Sequence, residues 1–395
     1  LVLGGKLPAP SAAMMNSFML HNQEFDCVHD GAVLHPFTTA LPVAIAVAEA
    51  KGRLTGRELL TAVALGVDVS CSIGVSSRSP MSFFRPGTAG AFGAVAAGGK
   101  LARMDEKTMI NAMGVVYSQI CGTLQPHHEG AMVVSMQTGF NARAAATAIA
   151  LAEEGIIGAS AVLEGQYGYF RLFEGEYEVD DVVESLGKIW QVERIAHKPF
   201  PCGRLTQGVV EAALTLQNEY GIDPQDVEEC EALVSPLVER LVGRPLDHEN
   251  PSAQYAKLSI PFVVATALVR NSVFITDFWK DTLVDPQVHS LAQRIRVIRD
   301  PQILGPLPRT PGRSICGPAL TMQFMPKRED LHSSGEYQGP ERQLHRHALY
   351  HTQEGDVMVV DARGDMSSGV FGEMMLTYFC GQGGQGVIID GCIRD

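Results

Sequence analysis

Three side chains able to move protons stand close together early in the chain: Glu24, Asp26 and His35. Much later, Lys198 and Arg204 flank the rigid turn Pro199-Phe200-Pro201. Taking a proton from a carbon beside a carboxylate needs a base of suitable pKa and cations that hold the anionic substrate. His35 can be that base or an acid, since imidazole titrates near neutrality. Asp26 and Glu24 can orient it or share the proton. A cation beside a proline-fixed turn can be aimed at a carboxylate. Arg85 is balanced between a salt bridge at a helix start and a clamp on substrate. Blander roles fit the other histidines. His21 and His29 are expected to satisfy backbone groups. His127 and His128 are expected to be solvated loop residues, because adjacent side chains converge poorly on one ligand. His345 and His347 have no third ligand at a metal-binding spacing. The pairs Glu153-Glu154 and Glu228-Glu229 read as solvated faces.

The elements that must position these groups follow from periodicity and capping signals. Helices are expected over 12–20 with Ser11 as cap, over 41–49 closed by Gly52, and from Thr55, where Glu58 completes a capping box. The stretch 87–101 reads as a buried central helix, because Gly and Ala let backbones approach closely. Further helices are expected from Asp105 to about 120 and over 141–154, closed by Gly155. Beyond about 177 the texture becomes α+β, with strands over 192–198, 227–234 and 295–298, and helices over 205–220, 259–270 and 286–295. After about 305, short apolar runs alternate with helices, notably 356–361 and 387–390 around a helix at 372–380, which suggests a β/α layered domain. Gly381–Gly386 lacks the Gly-Lys-Ser/Thr of a phosphate loop and reads as a tight αβ connection.

The whole chain bounds these choices. Its 395 residues suffice for two or three domains. A net charge of −13 and a pI near 5.4 argue against a nucleic-acid or anionic-membrane surface as partner. Eight cysteines with no C-x-x-C pair read as reduced thiols in a cytoplasmic setting. The start at Leu1 shows no signal-peptide pattern, and apolar runs such as 41–47 are too short to span a bilayer. Beginning at Leu1 and stopping at Asp395 in mid-motif, the chain reads as a fragment or a fusion product.

Several stretches in order carry a resemblance across about residues 1–300. They are Glu24-Phe25-Asp26 followed by His35-Pro36; Phe84-Arg85-Pro86-Gly87-Thr88-Ala89-Gly90 with Phe92-Gly93-Ala94; Gly139 and its Ala-rich helix; Leu163-Glu164-Gly165; Lys198-Pro199-Phe200-Pro201-Cys202; and Ala256-Lys257-Leu258-Ser259. This region resembles the MmgE/PrpD family, which includes 2-methylcitrate dehydratase and cis-aconitate decarboxylase. The resemblance implies a mainly α helical domain plus an α+β lid, with the site between them and no cofactor. It implies a hydro-lyase of the 2-methylcitrate dehydratase type first, with decarboxylation or epimerisation beside it, acting on a small carboxylate. Asp26, His35 and Lys198 are the expected catalytic residues, and Glu24, Arg85 and Arg204 the expected substrate contacts. The chain departs from the family pattern at Cys27-Val28, at Arg85 and Gly203 (usually His), and at Val134 (usually Lys).

The last 90 residues or so resemble a second family, the RraA-like proteins that include 4-hydroxy-4-methyl-2-oxoglutarate aldolases. The residues behind this are Gly317-Pro318-Ala319-Leu320-Thr321, Gly355-Asp356-Val357, Gly372-Glu373-Met374-Met375 and Gly386 through Asp395. The resemblance implies a partial β/α layered domain. In it, Gly372, Glu373, Met374 and Met375 offer helix-start N–H groups to a carboxylate, Arg394 clamps a 2-oxo acid, and Asp395 helps hold Mg²⁺. The expected organisation is therefore a helical domain at 1–176, a lid at 177–304 and the partial domain at 305–395. A metal-dependent aldolase or oxo-acid decarboxylase is the alternative activity. A catalytically inactive binding protein is the third, and a homodimer or higher homo-oligomer is the expected assembly.

Overall fold

The computed structural model describes residues 1–2, 4–246, 251–300, 319–323, 344–362 and 371–389 of the 395. Its contacts divide the chain into two units, Leu1–Ala232 with Val238–Val297, and Leu233–Leu237 with Ile298–Asp395. The expected helical segment and most of the expected lid fall in the larger unit, while Leu233–Leu237 and the end of the expected lid from Ile298 fall in the second.

Seven helices come first: α1 (Ala9–His21), α2 (Phe37–Lys51), α3 (Gly56–Ser76), α4 (Arg85–Leu101), α5 (Glu106–Tyr117), α6 (Gln125–Glu129) and α7 (Val133–Glu153). A π-helical turn follows at Phe170–Glu174. The chain continues through α8 (Asp180–Ser185), α9 (Gln207–Tyr220), β1 (Cys230–Val234), α10 (Pro236–Val242), α11 (Ala253–Lys257), α12 (Ile260–Arg270), α13 (Pro286–Ala292) and β2 (Ile295–Arg299). Strands β1 and β2 pair in a two-stranded sheet.

Helix α4 is the axis of the helical part. It packs against α2, α3, α5 and α7, and every residue from Arg85 to Gly99 is buried. Its glycines make this possible. A Cβ added at Gly66 of α3 would stand 2.6 Å from the Gly93 carbonyl oxygen, and one at Gly90 2.7 Å from Thr39 Oγ1. The helices thus meet backbone to backbone, as the small-residue pattern requires. The Thr55–Glu58 capping box forms at the start of α3, with the Glu58 N–H donating to Thr55 Oγ1 at 3.2 Å and the Thr55 N–H to Glu58 Oε2 at 2.8 Å. By length and composition α3 could cross a bilayer, which the short apolar runs did not suggest. More than half of its most apolar stretch is buried inside the protein, and its Asp68 accepts the Gln191 N–H at 2.9 Å. It is packed as a core helix.

Three expected elements are corrected. Helix α1 starts at Ala9, not at Ala12: Pro10 sits in the first turn, where a missing N–H costs nothing, and Pro8 rather than Ser11 is the cap. Helix α7 starts eight residues earlier than expected, at Val133. Gly139 lies inside this helix, where a Cβ would stand 2.8 Å from the Met14 carbonyl of α1. The strand expected over 192–198 is a 3₁₀ turn at Gln191–Arg194 followed by one antiparallel bridge, Ala196 to Val28. Pro199 and Pro201 have no N–H to extend a ladder.

In the second unit β3 (Ala319–Gln323), α14 (Leu344–His351), β4 (Val357–Asp361), α15 (Glu373–Gly381) and β5 (Gly386–Ile389) build a parallel sheet ordered β3-β4-β5. Ala319 lies beside Val357, and Val357 beside Gly386. Helices α14 and α15 lie between successive strands in the chain, so this is the layered β/α pattern expected. Its core holds Ala348, Leu349, Met358, Val360, Phe371 and Phe379. The Gly-rich run 381–386 is the αβ connection: the Gln385 N–H donates to Asp356 O at 2.8 Å.

Candidate active site

The bridge between Val28 and Ala196 builds the site. The Val28 N–H donates to Ala196 O at 3.0 Å, and the Ala196 N–H to Val28 O at 2.8 Å. In an antiparallel pair, residues two steps out on each side face one another. Here those are Asp26 and Lys198. Lys198 Nζ donates to Asp26 Oδ1 at 3.2 Å and to Glu24 Oε2 at 2.7 Å, and its side chain has no exposed surface. The second bridge, His29 with Leu34, folds the chain back and brings His35 to Asp26. His35 Nδ1 lies 3.0 Å from Cys27 O and 3.2 Å from Asp26 Oδ2. His21, the last residue of α1, places Nδ1 2.8 Å from the same Oδ2. The two imidazole centroids are 4.9 Å apart.

The lid side completes the frame. Glu24 adopts φ 51, a left-handed conformation unusual for a non-glycine residue. Gln254 Nε2 donates to Glu24 Oε1 at 3.2 Å. Lys257 Nζ donates to Asn22 O at 2.9 Å and to Gln23 Oε1 at 3.0 Å, which fixes the turn before Glu24.

Charges decide which groups can react. Burial pushes Glu24 up, but Lys198 and His21 outweigh it and hold the carboxyl at about 2. Burial likewise opposes ionisation of Asp26, yet His35, Lys198 and His21 keep it well below the usual carboxylate range. Burial pulls Lys198 down, and the two carboxylates more than reverse this, so it stays an ammonium. For His21, burial is overcome by the charge and hydrogen bond of Asp26, and its pKa is raised. The ionised Asp26 carboxylate can only accept, so the Nδ1 atoms of both histidines carry hydrogen. That leaves Nε2 on each ring: His21's is buried without a hydrogen-bond partner, and His35's stands on a side chain 15% exposed.

The donor atoms of His21, Asp26 and His35 lie within 4.8 Å of one another, near enough to share a metal ion. Lys198 already supplies a positive charge beside Asp26, and both imidazoles hydrogen-bond the carboxylate directly. The same donors are also placed to pass a proton between the imidazoles and the carboxylate.

The expected site residues part ways here. Glu24, Asp26, His35 and Lys198 come together. Lys198, expected to reach substrate, instead binds the protein's own two carboxylates. Arg85 lies apart: its Nε and Nη2 grip Glu174 at 3.0 and 2.7 Å, Nη1 donates to Ala32 O at 2.9 Å, and Nη2 reaches Ser77 Oγ at 3.0 Å. Tyr169 Oη also donates to Glu174, at 2.7 Å. Every nitrogen of this guanidinium serves the fold. Arg204 makes an exposed bidentate pair with Asp30, at 2.8 Å for each bond. Gly372 caps α15, which Glu373, Met374 and Met375 open. Arg394 and Asp395 lie outside the described residues.

Other groups at the site had weak sequence signals. His21 ends a helix, where a capping role is the usual one. His29 does have that role: Nδ1 accepts the Ala32 N–H and Nε2 meets Gln191. His127 was expected in solvent, but it lies in α6 with a buried Nδ1, and burial lowers its pKa to about 4. Arg244, Gln254 and Lys257 are far along the chain, and only Lys257 falls in a quoted motif.

Residues 1–181 match the MmgE/PrpD N-terminal domain, residues 200–314 the MmgE/PrpD C-terminal domain, and residues 282–395 the Aldolase/RraA family. A cis-aconitate decarboxylase of Aspergillus terreus is 29% identical over 315 residues, 74% of this chain and 64% of that protein. A cis-aconitate decarboxylase-like protein, oryM, of Aspergillus oryzae is 25% identical over 336 residues, 80% of this chain and 68% of that protein. The chain thus spans less than two thirds of the length of the first relative. Through its two domain matches in order, this chain belongs to the MmgE/PrpD family and continues into an RraA-like segment.

Proposed function

We propose that this chain is a lyase that acts on a small di- or tricarboxylate by moving a proton at a carbon beside a carboxylate. The observation that carries this is His35, with Nδ1 fixed by Cys27 O and Asp26 and Nε2 left for chemistry. Asp26 orients both imidazoles, and Lys198 keeps Asp26 and Glu24 ionised. For a dehydration, His35 Nε2 would take the carbon-bound proton, the C–H electron pair would form the double bond, and the hydroxide would leave as water with a proton from the medium. For a decarboxylation, loss of CO₂ leaves an electron pair on carbon, and a protonated Nε2 would quench it. The relatives named as decarboxylases favour the second course, and the hydro-lyase of the 2-methylcitrate dehydratase type is the finer alternative. The test is CO₂ release from cis-aconitate and dehydration of 2-methylcitrate. One of them should proceed, and His35→Asn should lose about 100-fold or more. Equal turnover by His35→Asn would end this assignment.

The Aldolase/RraA match favours a second reading for the last segment, cleavage of a 4-hydroxy-2-oxo acid. Asp395, the residue expected to hold Mg²⁺, lies outside the described residues, and no metal donor set occurs in the described part of this segment. Pyruvate release that depends on Mg²⁺ and disappears in Arg394→Ala would support it; none in the presence of Mg²⁺ would dismiss it.

A further inference from the structure

Four buried side-chain nitrogens among the described residues lack a hydrogen-bond partner, Gln137 Nε2, His21 Nε2, His127 Nδ1 and Arg244 Nη1, and the last three are linked to one another. Buried polar atoms are nearly always paired, so three orphans ask for a common explanation. They belong to one locus. Arg244 Nη2 donates to the His127 carbonyl at 2.6 Å and to Leu241 O at 2.9 Å. The guanidinium lies over the Tyr255 ring, 5.2 Å from its centroid. The neighbouring Gln254 donates to Glu24, and Glu24 Oε1 stands 3.9 Å from His21 Nε2. The continuous line runs from the proton-transfer cluster to Arg244.

The charges on this line are uneven. Glu24 and Asp26 are already matched by Lys198 and the two imidazoles. Arg244 has no carboxylate partner among the described residues. Its fork is held by two carbonyls and one ring, which leaves Nη1 directed and unspent. Gly130, the left-handed cap of α6 at φ 67, lets the guanidinium come close, since a Cβ there would stand 2.8 Å from Arg244 Nη1 and from Tyr255. Ser252 Oγ ties that cap down by donating to Gly130 O at 3.0 Å.

We propose that Arg244, His127 and His21 form a subsite for a substrate carboxylate that does not react, beside the cluster that moves the proton. The guanidinium supplies charge and direction, and the imidazoles supply further N–H groups. The ligand class is a di- or tricarboxylate, because one carboxylate must sit here while the carbon beside another faces His35. His127, neutral at physiological pH, also feels the charges of Glu24, Arg244, His21 and His35, in keeping with a shared space.

This inference rests on the carboxylate-lyase reading, so its test must not need turnover. The probe is tricarballylate, a saturated tricarboxylate, titrated calorimetrically into the full chain at pH 7. Wild type should bind it. Arg244→Gln should weaken binding about tenfold to hundredfold, the span expected for losing a charge-assisted contact. His127→Phe and Gly130→Ala should weaken it as well, the latter by displacing Nη1. Arg103→Gln, remote on the surface, should bind as wild type does. If Arg244→Gln melts early, Arg244→Lys keeps the charge, loses the fork and should still bind more weakly. No binding by wild type, or equal binding by the Arg244 variants, overturns the subsite. Turnover with unchanged Arg244 binding defeats the subsite alone. Binding that Arg244→Gln abolishes, without any turnover, defeats the lyase reading alone.

Discussion

Lys198→Met should destabilise the larger unit, and by more at neutral pH than in mild acid. The ammonium is the buried counter-charge of two buried carboxylates, at 2.7 and 3.2 Å. Glu24 lies at about 2 instead of the ordinary 4.5. At about 1.4 kcal/mol per tenfold, that displacement corresponds to about 3 kcal/mol. Severing a buried pair by deleting one partner costs about 3–5 kcal/mol in general, which agrees. The pH dependence discriminates further. In wild type, the contribution of Glu24 is present above its ordinary pKa and is lost as pH falls from about 4.5 toward 2. Without Lys198, burial pushes both carboxyls up, so the variant loses stability as pH rises through their new values. Urea unfolding followed by tryptophan fluorescence reads the correct unit, because Trp190 and Trp279 both lie in it. The expected loss is about 3–5 kcal/mol at pH 7.5 and clearly less at pH 5. A loss under about 1 kcal/mol, or an equal loss at both pH values, would refute the electrostatic account.

Arg85→Met should cost about 3–5 kcal/mol by stranding Glu174, whereas Arg85→Met with Glu174→Met should recover much of it; a double-mutant cycle in urea reads this coupling. Gly93→Ala should cost about 1–3 kcal/mol, because its Cβ would overlap the Gly66 carbonyl; thermal melting checks it. His21→Phe removes a group whose pKa is raised in the fold. Its stabilisation is complete below about 6.5 and fades as pH rises through the folded value, so the gap to wild type should narrow above neutrality in denaturation at stepped pH.

How far sequence reaches can be judged residue by residue. The Thr55–Glu58 box and the Gly52 cap were legible because capping is local chemistry. So was the burial of α4, since a run of Gly and Ala has few other uses. Helix starts near proline were misjudged where Pro8 and Pro10 outrank Ser11. The strand at 192–198 failed because strand pairing depends on a partner, and only Val28 offers one. Glu24, Asp26, His35 and Lys198 were singled out from residue type and motif, and the fold brings the four together. Arg85 was given a ligand's role because its partner, Glu174, lies 89 positions away. His127 and Arg244 were missed for the same reason: their relation is a contact across 117 positions, and no local pattern announces it.

The departures from the family pattern sharpen what the cluster must do alone. Val134 is fully buried, and the Gly203 N–H bonds Lys257 O while its Cα packs against Leu258. Arg85 is neutralised by Glu174. Each altered position has thus been absorbed into packing, and none leaves a charged hole facing the site. What persists is a set of groups from two stretches, 21–35 and 196–198, registered by one bridge. Side chains alternate along extended backbone, so a slip of one residue at Val28 and Ala196 would turn Asp26 away from Lys198. It would leave both charges buried and unpaired. The geometry proposed to move a proton is therefore also the geometry that the fold can least tolerate losing, because the same three buried charges hold the two stretches together.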